Sequence, residues 1–201
     1  MEASLSMGET ETYLKYFDRY MVLNEKVLSR KDAIEKSTGK VGLLFYRDQT
    51  FHLAIKTAAV IAQRYPSDDS KSLVLKFEGE QYQRSLDRVK ARERFETLLA
   101  DYPESIYRKA VYKRLGAMLP NMNKVDDAIK LYESFAKEFT SDDDKAFSLF
   151  RIGWCYFGKG EGSFPSAKMR FKELTLKYPK SRYAQTARAL IHEMEKKQKK
   201  N

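Results

Sequence analysis

Gly42, Gly79, Gly116 and Gly153 follow one another at a constant interval of 37 residues, and each brings the same neighbours at the same offsets. An alanine stands twelve residues after the first three (Ala54, Ala91, Ala128) and fourteen after the last (Ala167). Twelve residues further on lie Pro66, Pro103, Thr140 and Pro179, each behind an aromatic: Tyr65, Tyr102, Phe139 and Tyr178. Phe45, Tyr82, Leu119 and Tyr156 follow the glycines by three, while Ala58, Phe95, Tyr132 and Phe171 follow the alanines by four. Self-similarity at a period of about 20 to 50 residues marks a stacked repeat, in which one supersecondary unit is copied along the chain.

These spacings read as two antiparallel helices per unit. In the first, the glycine and the large residue three later share a face; in the second, the alanine and the residue four later do so. A small residue at a helix crossing admits a bulky side chain from the partner helix. Gly and Ala are therefore the expected crossing points, and the aromatics fill the gaps between them. The aromatic-Pro pair ends the second helix, because proline disfavours helical geometry in the residue before it and lacks a backbone donor. Ser67-Asp68-Asp69, Glu104-Ser105 and Ser141-Asp142 supply caps for the helices that follow.

From glycine to proline the order Leu-Gly, Tyr, Ala, Phe, Pro resembles the tetratricopeptide repeat. Leu115-Gly116 with Ala128 and Tyr132, and Ile152-Gly153 with Tyr156, Ala167, Phe171 and Pro179, carry the resemblance most fully. It covers residues 35–192, with about 34 residues in the standard unit; here three extra residues fall before each glycine, so the first helices or their leading turns are expected to be long. The first unit departs from the pattern at Thr38-Gly39 and Ala58, and the fourth carries a two-residue insertion around Gly158, Gly160 and Gly162. The resemblance implies an all-α, right-handed superhelical solenoid of antiparallel helix pairs. Its repeats would span about 35–68, 72–105, 109–142 and 146–181. Tyr178-Pro179-Lys180-Ser181-Arg182-Tyr183-Ala184-Gln185-Thr186-Ala187-Arg188 is similar to repeat junctions of bacterial envelope scaffolds. Examples are the outer-membrane-protein assembly lipoproteins of the BamD type and the Tol-Pal accessory protein. This implies a non-enzymatic role gathering other envelope proteins.

Both ends are atypical, as ends of an array should be. Tyr13, Leu14, Phe17, Tyr20, Met21, Leu23, Val27 and Leu28 recur at helical spacing and predict a capping helix over 11–30. Tyr183, Ala184, Ala187, Leu190, Ile191 and Met194 predict another over 182–195, with a basic tail at 196–201 and a disordered start at 1–10. No basic, apolar signal segment opens the sequence. The compartment is thus open between the cytoplasm and, with a signal removed, the periplasm or outer-membrane periphery. No apolar run approaches a membrane span.

The chemistry of catalysis is hard to find. The single cysteine, Cys155, lies between Trp154 and Tyr156, where a packed thiol is expected rather than a nucleophile. His52 and His192 lack metal-ligand spacing. Asp142-Asp143-Asp144 lacks the alternating ligands, glycine and glutamate of a calcium loop and reads as a helix cap. The glycines at 158, 160 and 162 lack the Gly-Lys-Ser/Thr ending of a phosphate loop and read as a lax turn. No catalytic, cofactor or metal site is expected.

Function then rests on surface. In this family the first helix of each unit lines the concave groove, and with the glycine as position eight the groove positions are five, six, nine, twelve and thirteen. They give Lys40, Leu43, Tyr46 and Arg47; Lys76, Phe77, Glu80, Gln83 and Arg84; Lys113, Arg114, Ala117 and Asn121; then Phe150, Arg151, Trp154 and Phe157. Such a groove, basic at its middle and aromatic toward its C-terminal end, suits a peptide or protein with acidic groups and apolar anchors. Leu43 and Glu80 occupy positions where carboxylate-clamp repeats carry asparagine, so a terminal carboxylate is not the expected ligand. The net charge of +10 offers a competing reading as a binder of polyanions or of an anionic envelope surface through the lysine-rich tail. Interspersed acids make nucleic acid the weaker of these partners. A third reading is the helical, non-catalytic arm of an envelope enzyme such as a lytic transglycosylase.

Overall fold

The computed structural model describes residues 7–27, 32, 36–37 and 51–198. Gly42, Phe45 and the expected groove residues Lys40, Leu43, Tyr46 and Arg47 lie outside them, as do most of the residues expected to form the first helix of the first repeat. The described elements are helices with short turns. They comprise α1 (Met7–Val27), α2 (Phe51–Arg64), α3 (Asp68–Arg84), α4 (Arg88–Asp101), α5 (Arg108–Met118), α6 (Val125–Glu138), α7 (Asp142–Gly158), α8 (Phe164–Lys177) and α9 (Ala184–Gln198). Single 3₁₀ turns occupy Leu119–Met122 and Glu161–Ser163. The fold is all-α and tetratricopeptide-like, as the period implies. It divides into two compact units, residues 1–111 and 112–201, with the division inside α5.

In the N-terminal unit α2 packs on α1 and α3, and α3 on α4. Phe17 and Met21 of α1, Ala54, Ala58 and Ile61 of α2, and Leu73 and Phe77 of α3 form one core, closed by Tyr65. In the C-terminal unit α7 packs on α6 and α8, and α8 on α9. Phe164, Ala167, Phe171 and Leu174 meet Ala184, Ala187, Leu190 and Met194 there. Stacked pairs of this kind bury each face against a neighbour, so no large central core is required.

The glycines stand where the period places them. A Cβ built on Gly79 would lie 2.5 Å from Phe95 Cε1, on Gly116 2.5 Å from Tyr132 Cζ, and on Gly153 2.6 Å from Phe171 Cε1. Each first helix thus touches the ring of its own partner helix, and the ring is fully buried. α3 and α7 run for 17 residues against 14 for each second helix, which accommodates the extra length of the repeat. α5 is shorter, because Pro120 turns its end into a 3₁₀ segment.

Caps fix the boundaries. Ser67 and Ser70 form a capping box, each backbone N–H donating to the other's hydroxyl at 3.1 and 3.0 Å. Ser141 caps α7 by accepting from Asp144 N, and the Asp144 carboxylate in turn accepts from the Ser141 hydroxyl at 2.6 Å. Asp69, expected as part of the cap, also reaches 37 residues along the chain to accept from Ile106 N at 2.8 Å. The second helices stop at Tyr102, Phe139 and Tyr178, whose N–H groups close the last turns on Leu98, Phe135 and Leu174. Phe139 ends α6 without a following proline.

Each described turn between first and second helix contains one residue of positive φ, seven positions after the repeat glycine: Leu86 (φ 63°), Asn123 (φ 59°) and Gly160 (φ 96°). Gly160 has open space around it, yet its φ 96°, ψ −174° belongs to a region that glycine alone occupies freely. This turn is therefore constrained by its backbone, which the expectation of a lax connection missed.

Two boundaries differ from expectation. α1 begins at Met7, so residues 7–10 are helical where disorder was expected; Thr10 is buried and the Thr12 hydroxyl donates to Gly8 O. α9 continues through Lys196, Lys197 and Gln198, because Lys197 pairs with Glu193 and Lys168 of α8 donates to the Gln198 side chain at 2.6 Å.

Candidate peptide-binding surface

The proposed groove residues divide by unit. In the N-terminal unit α3 carries Lys76, Phe77, Glu80, Gln83 and Arg84, and of these only Arg84 is exposed. Phe77 is core. Lys76 is not the open cation expected: it is buried, its Nζ lies 3.1 Å from Glu80 Oε1, and it sits over the rings of Phe77 and Tyr107 at 4.5 and 5.9 Å. Glu80, one helical turn on, is 2 % exposed and provides the countercharge that makes burial of the lysine tolerable. The charge on this face is largely internal.

The C-terminal unit differs. Along α7, Phe150, Trp154 and Phe157 recur at 4 and 3 residues, which places them on one stripe. Their rings run in sequence: Tyr183 stacks on Phe150 at 5.2 Å and Phe150 on Trp154 at 6.2 Å, Trp154 meets Phe157 tilted at 5.8 Å, and Phe157 stacks on Phe164 at 5.5 Å. Phe150 also reaches Phe171, the ring that fills the Gly153 crossing. Phe150 and Phe157 are half-buried supports, whereas Trp154 is 44 % exposed. An indole held between two anchored rings and still open to solvent can desolvate an incoming apolar side chain at little conformational cost.

Cations flank this row. Arg151 donates from Nε to the Tyr132 hydroxyl at 2.9 Å, with its guanidinium carbon 5.4 Å from that ring's centroid. Phe95 and Phe171 are the counterparts of Tyr132, so this repeat alone among the three has a hydroxyl that needs a partner at the crossing. Burial pushes Tyr132 up to about 12, against the pull of Arg151. Lys197 lies over Phe157 at 5.6 Å, and Lys113 over Phe147 and Phe135 at 4.8 and 5.8 Å. Arg114 is half-buried on α5, Ala117 is exposed, and Asn121 is exposed on the 3₁₀ turn rather than on a helix.

Tyr183 and Lys197 join the row although the repeat positions did not name them. A signal for Tyr183 was present: Tyr107 and Tyr183 each stand four residues after a repeat proline, and each N–H donates to a serine two residues earlier, Ser105 or Ser181. Lys197 falls in the stretch expected as a basic tail, where the sequence offers no signal that it meets a ring.

Other chemistry is sparse. Cys155 is buried and its thiol is raised by desolvation, with Arg151 and Lys159 pulling the other way, which opposes a thiolate role. Among the described residues no group of three His, Cys, Asp or Glu could hold a metal ion, and no helix is long and apolar enough to cross a membrane. No curated protein matches the chain. Residues 147–181, which take in most of α7, all of α8 and the turn that leads to α9, match the tetratricopeptide repeat, a unit that typically serves as a non-catalytic scaffold for binding proteins or peptides.

Proposed function

We propose that the chain is a protein-binding adaptor whose C-terminal unit captures an extended or helical segment bearing acidic and apolar side chains. The observation that carries this is the exposed indole of Trp154, clamped between Phe150 and Phe157 and bordered by Arg151 and Lys197. An apolar anchor of the partner covers the indole, while its carboxylates meet the guanidinium edge that Arg151 does not spend on Tyr132. Lys113 and Arg114 on α5 extend the basic border of the same unit. The junction at 178–188, similar to those of envelope scaffolds, favours a partner from the bacterial cell envelope.

The test is capture from a lysate of the source organism, with wild type, Trp154→Ala and the pair Lys113→Glu/Arg114→Glu. The captured protein should survive nuclease and be lost from both variants while helicity and Tm stay close to wild type. Unchanged capture by both variants, or release by nuclease, defeats the proposal.

A further inference from the structure

The face of α8 that points away from α7 and α9 carries Pro165, Met169, Lys172 and Leu176 in one stripe, at intervals of 4, 3 and 4 residues. Met169 is 56 % and Leu176 80 % exposed, the latter the most open of the large apolar side chains recorded. The repeat supplies its own control. Matched through the crossing alanines, the same four positions read Val89, Glu93, Glu96, Ala100 in α4 and Asp126, Lys130, Glu133, Lys137 in α6. Solvated faces are thus the rule for second helices here, and α8 departs from it.

The charge departs too. α8 holds Lys168, Arg170, Lys172 and Lys177 against Glu173 alone, whereas α6 holds two basic residues against four acidic ones. Beside the stripe, sharing Glu173 and Lys177 with it, opens a cleft of about 470 Å³ between α6, α7 and α8 into which Lys137 and Lys145 also face. Spacing of 4-3-4 is the seam along which a second helix packs, with side chains beside the seam choosing the partner by charge.

We infer that this outer face of α8 docks an acidic amphipathic helix of a partner protein, on a surface separate from the row around Trp154. Apolar residues of the incoming helix cover Met169 and Leu176. Its carboxylates meet Lys172 within the stripe, Lys168 beside it, and Lys137 and Lys145 across the cleft. A second copy of α8 would bring like charge against like. A flat anionic bilayer cannot enter the cleft, where Arg170 and Lys177 are already paired with Glu133 and Glu173. A helix with its own pattern can avoid both glutamates.

The probe is a fluorescent synthetic helix of about three heptads with leucine at the seam and glutamate beside it, whose mutual repulsion keeps it from pairing with itself. Binding is read by anisotropy. The wild-type chain and Trp154→Ala should bind it equally, which separates this surface from the groove proposal, and a lysine-for-glutamate version should not bind. Leu176→Glu should weaken binding by about tenfold or more, and Lys172→Glu should weaken it in the same direction, with helicity intact because both side chains are exposed. Failure to bind the probe overturns the inference. So does equal binding of acidic, basic and leucine-scrambled peptides, or binding that Leu176→Glu leaves untouched. Phosphatidylcholine vesicles carrying phosphatidylglycerol form the second arm. If they retain wild type but not Leu176→Glu, while the peptide does not bind, the face is a lipid surface and the inference is wrong.

Discussion

At four matched repeat positions α3 carries Lys76, Phe77, Glu80 and Gln83, and α7 carries Phe150, Arg151, Trp154 and Phe157. The backbone phase is the same, and a glycine packs on a buried ring in both. In α3 the first and third of these side chains neutralise each other beneath the surface, and Lys76 lies over Tyr107. In α7 their counterparts stack, Phe150 lies on Tyr183, and Trp154 is left in solvent. One scaffold therefore yields a self-satisfied face and an unsatisfied one, according to whether an i,i+4 pair is ionic or aromatic. The crossing decides where a residue points; the pair decides whether anything remains for a ligand.

The comparison breaks most visibly at the ion pair. Glu80→Leu leaves Lys76 with its near countercharge removed and should cost about 3–5 kcal/mol in denaturant unfolding. The double change Lys76→Phe/Glu80→Trp, which copies α7, should recover most of that loss; if single and double variants are equally unstable, the two faces are not interchangeable solutions. Next comes the feature they share: Gly153→Ala should cost roughly 1–3 kcal/mol, because even a methyl group displaces Phe171. Gly158→Ala, with open space around it, should be neutral or slightly stabilising by calorimetry.

Trp154→Ala should weaken partner capture by roughly 2 kcal/mol in titration, with a much smaller shift in Tm. The matched change Glu80→Ala should do the reverse, moving Tm and not capture. At the turns, Leu86→Gly should stabilise by about 1 kcal/mol, since Leu86 is 71 % exposed and held at positive φ. Gly160→Leu should destabilise by a comparable or larger amount.

The smallest effect concerns alkaline pH. The folded-state pKa of Tyr132 is raised to about 12, so its contribution to stability is whole below the ordinary value of 10 and is lost as pH rises through about 12. Tyr132→Phe should flatten the fall of Tm over that window relative to wild type, and an unchanged slope would show that the hydroxyl is not held as described.

The crossings were legible because a period repeats its own controls. Gly79, Gly116 and Gly153 each point to a buried ring 16 or 18 residues on, and the same contact recurs in all three copies. The helix termini at Ser67, Ser141 and the aromatic-Pro pairs followed from local chemistry that acts within a few residues. The surface was less legible. Lys76 and Glu80 stand four apart and could have been paired on paper, but burial of the pair depends on Phe77 and on Tyr107, which arrives from 31 residues away. Repeat position puts Arg151 on the groove, but the phenol that holds it belongs to another helix. Leu176 lay in a helix whose polar residues gave no warning of an exposed stripe. Positions that report on one neighbour are readable from sequence, and positions set by three elements at once are not.

The Arg151–Tyr132 bond has a consequence for the kinetics and entropy of recognition. An unrestrained arginine surrenders about 2 kcal/mol of rotamer freedom when a ligand fixes it. Here Nε is already tied to a phenol that is itself wedged at a glycine crossing, so much of that ordering is complete before any partner arrives. A carboxylate meeting this guanidinium finds it aimed, and more of the contact energy survives as affinity. A fully buried ring thus stiffens the side chain proposed to meet the partner.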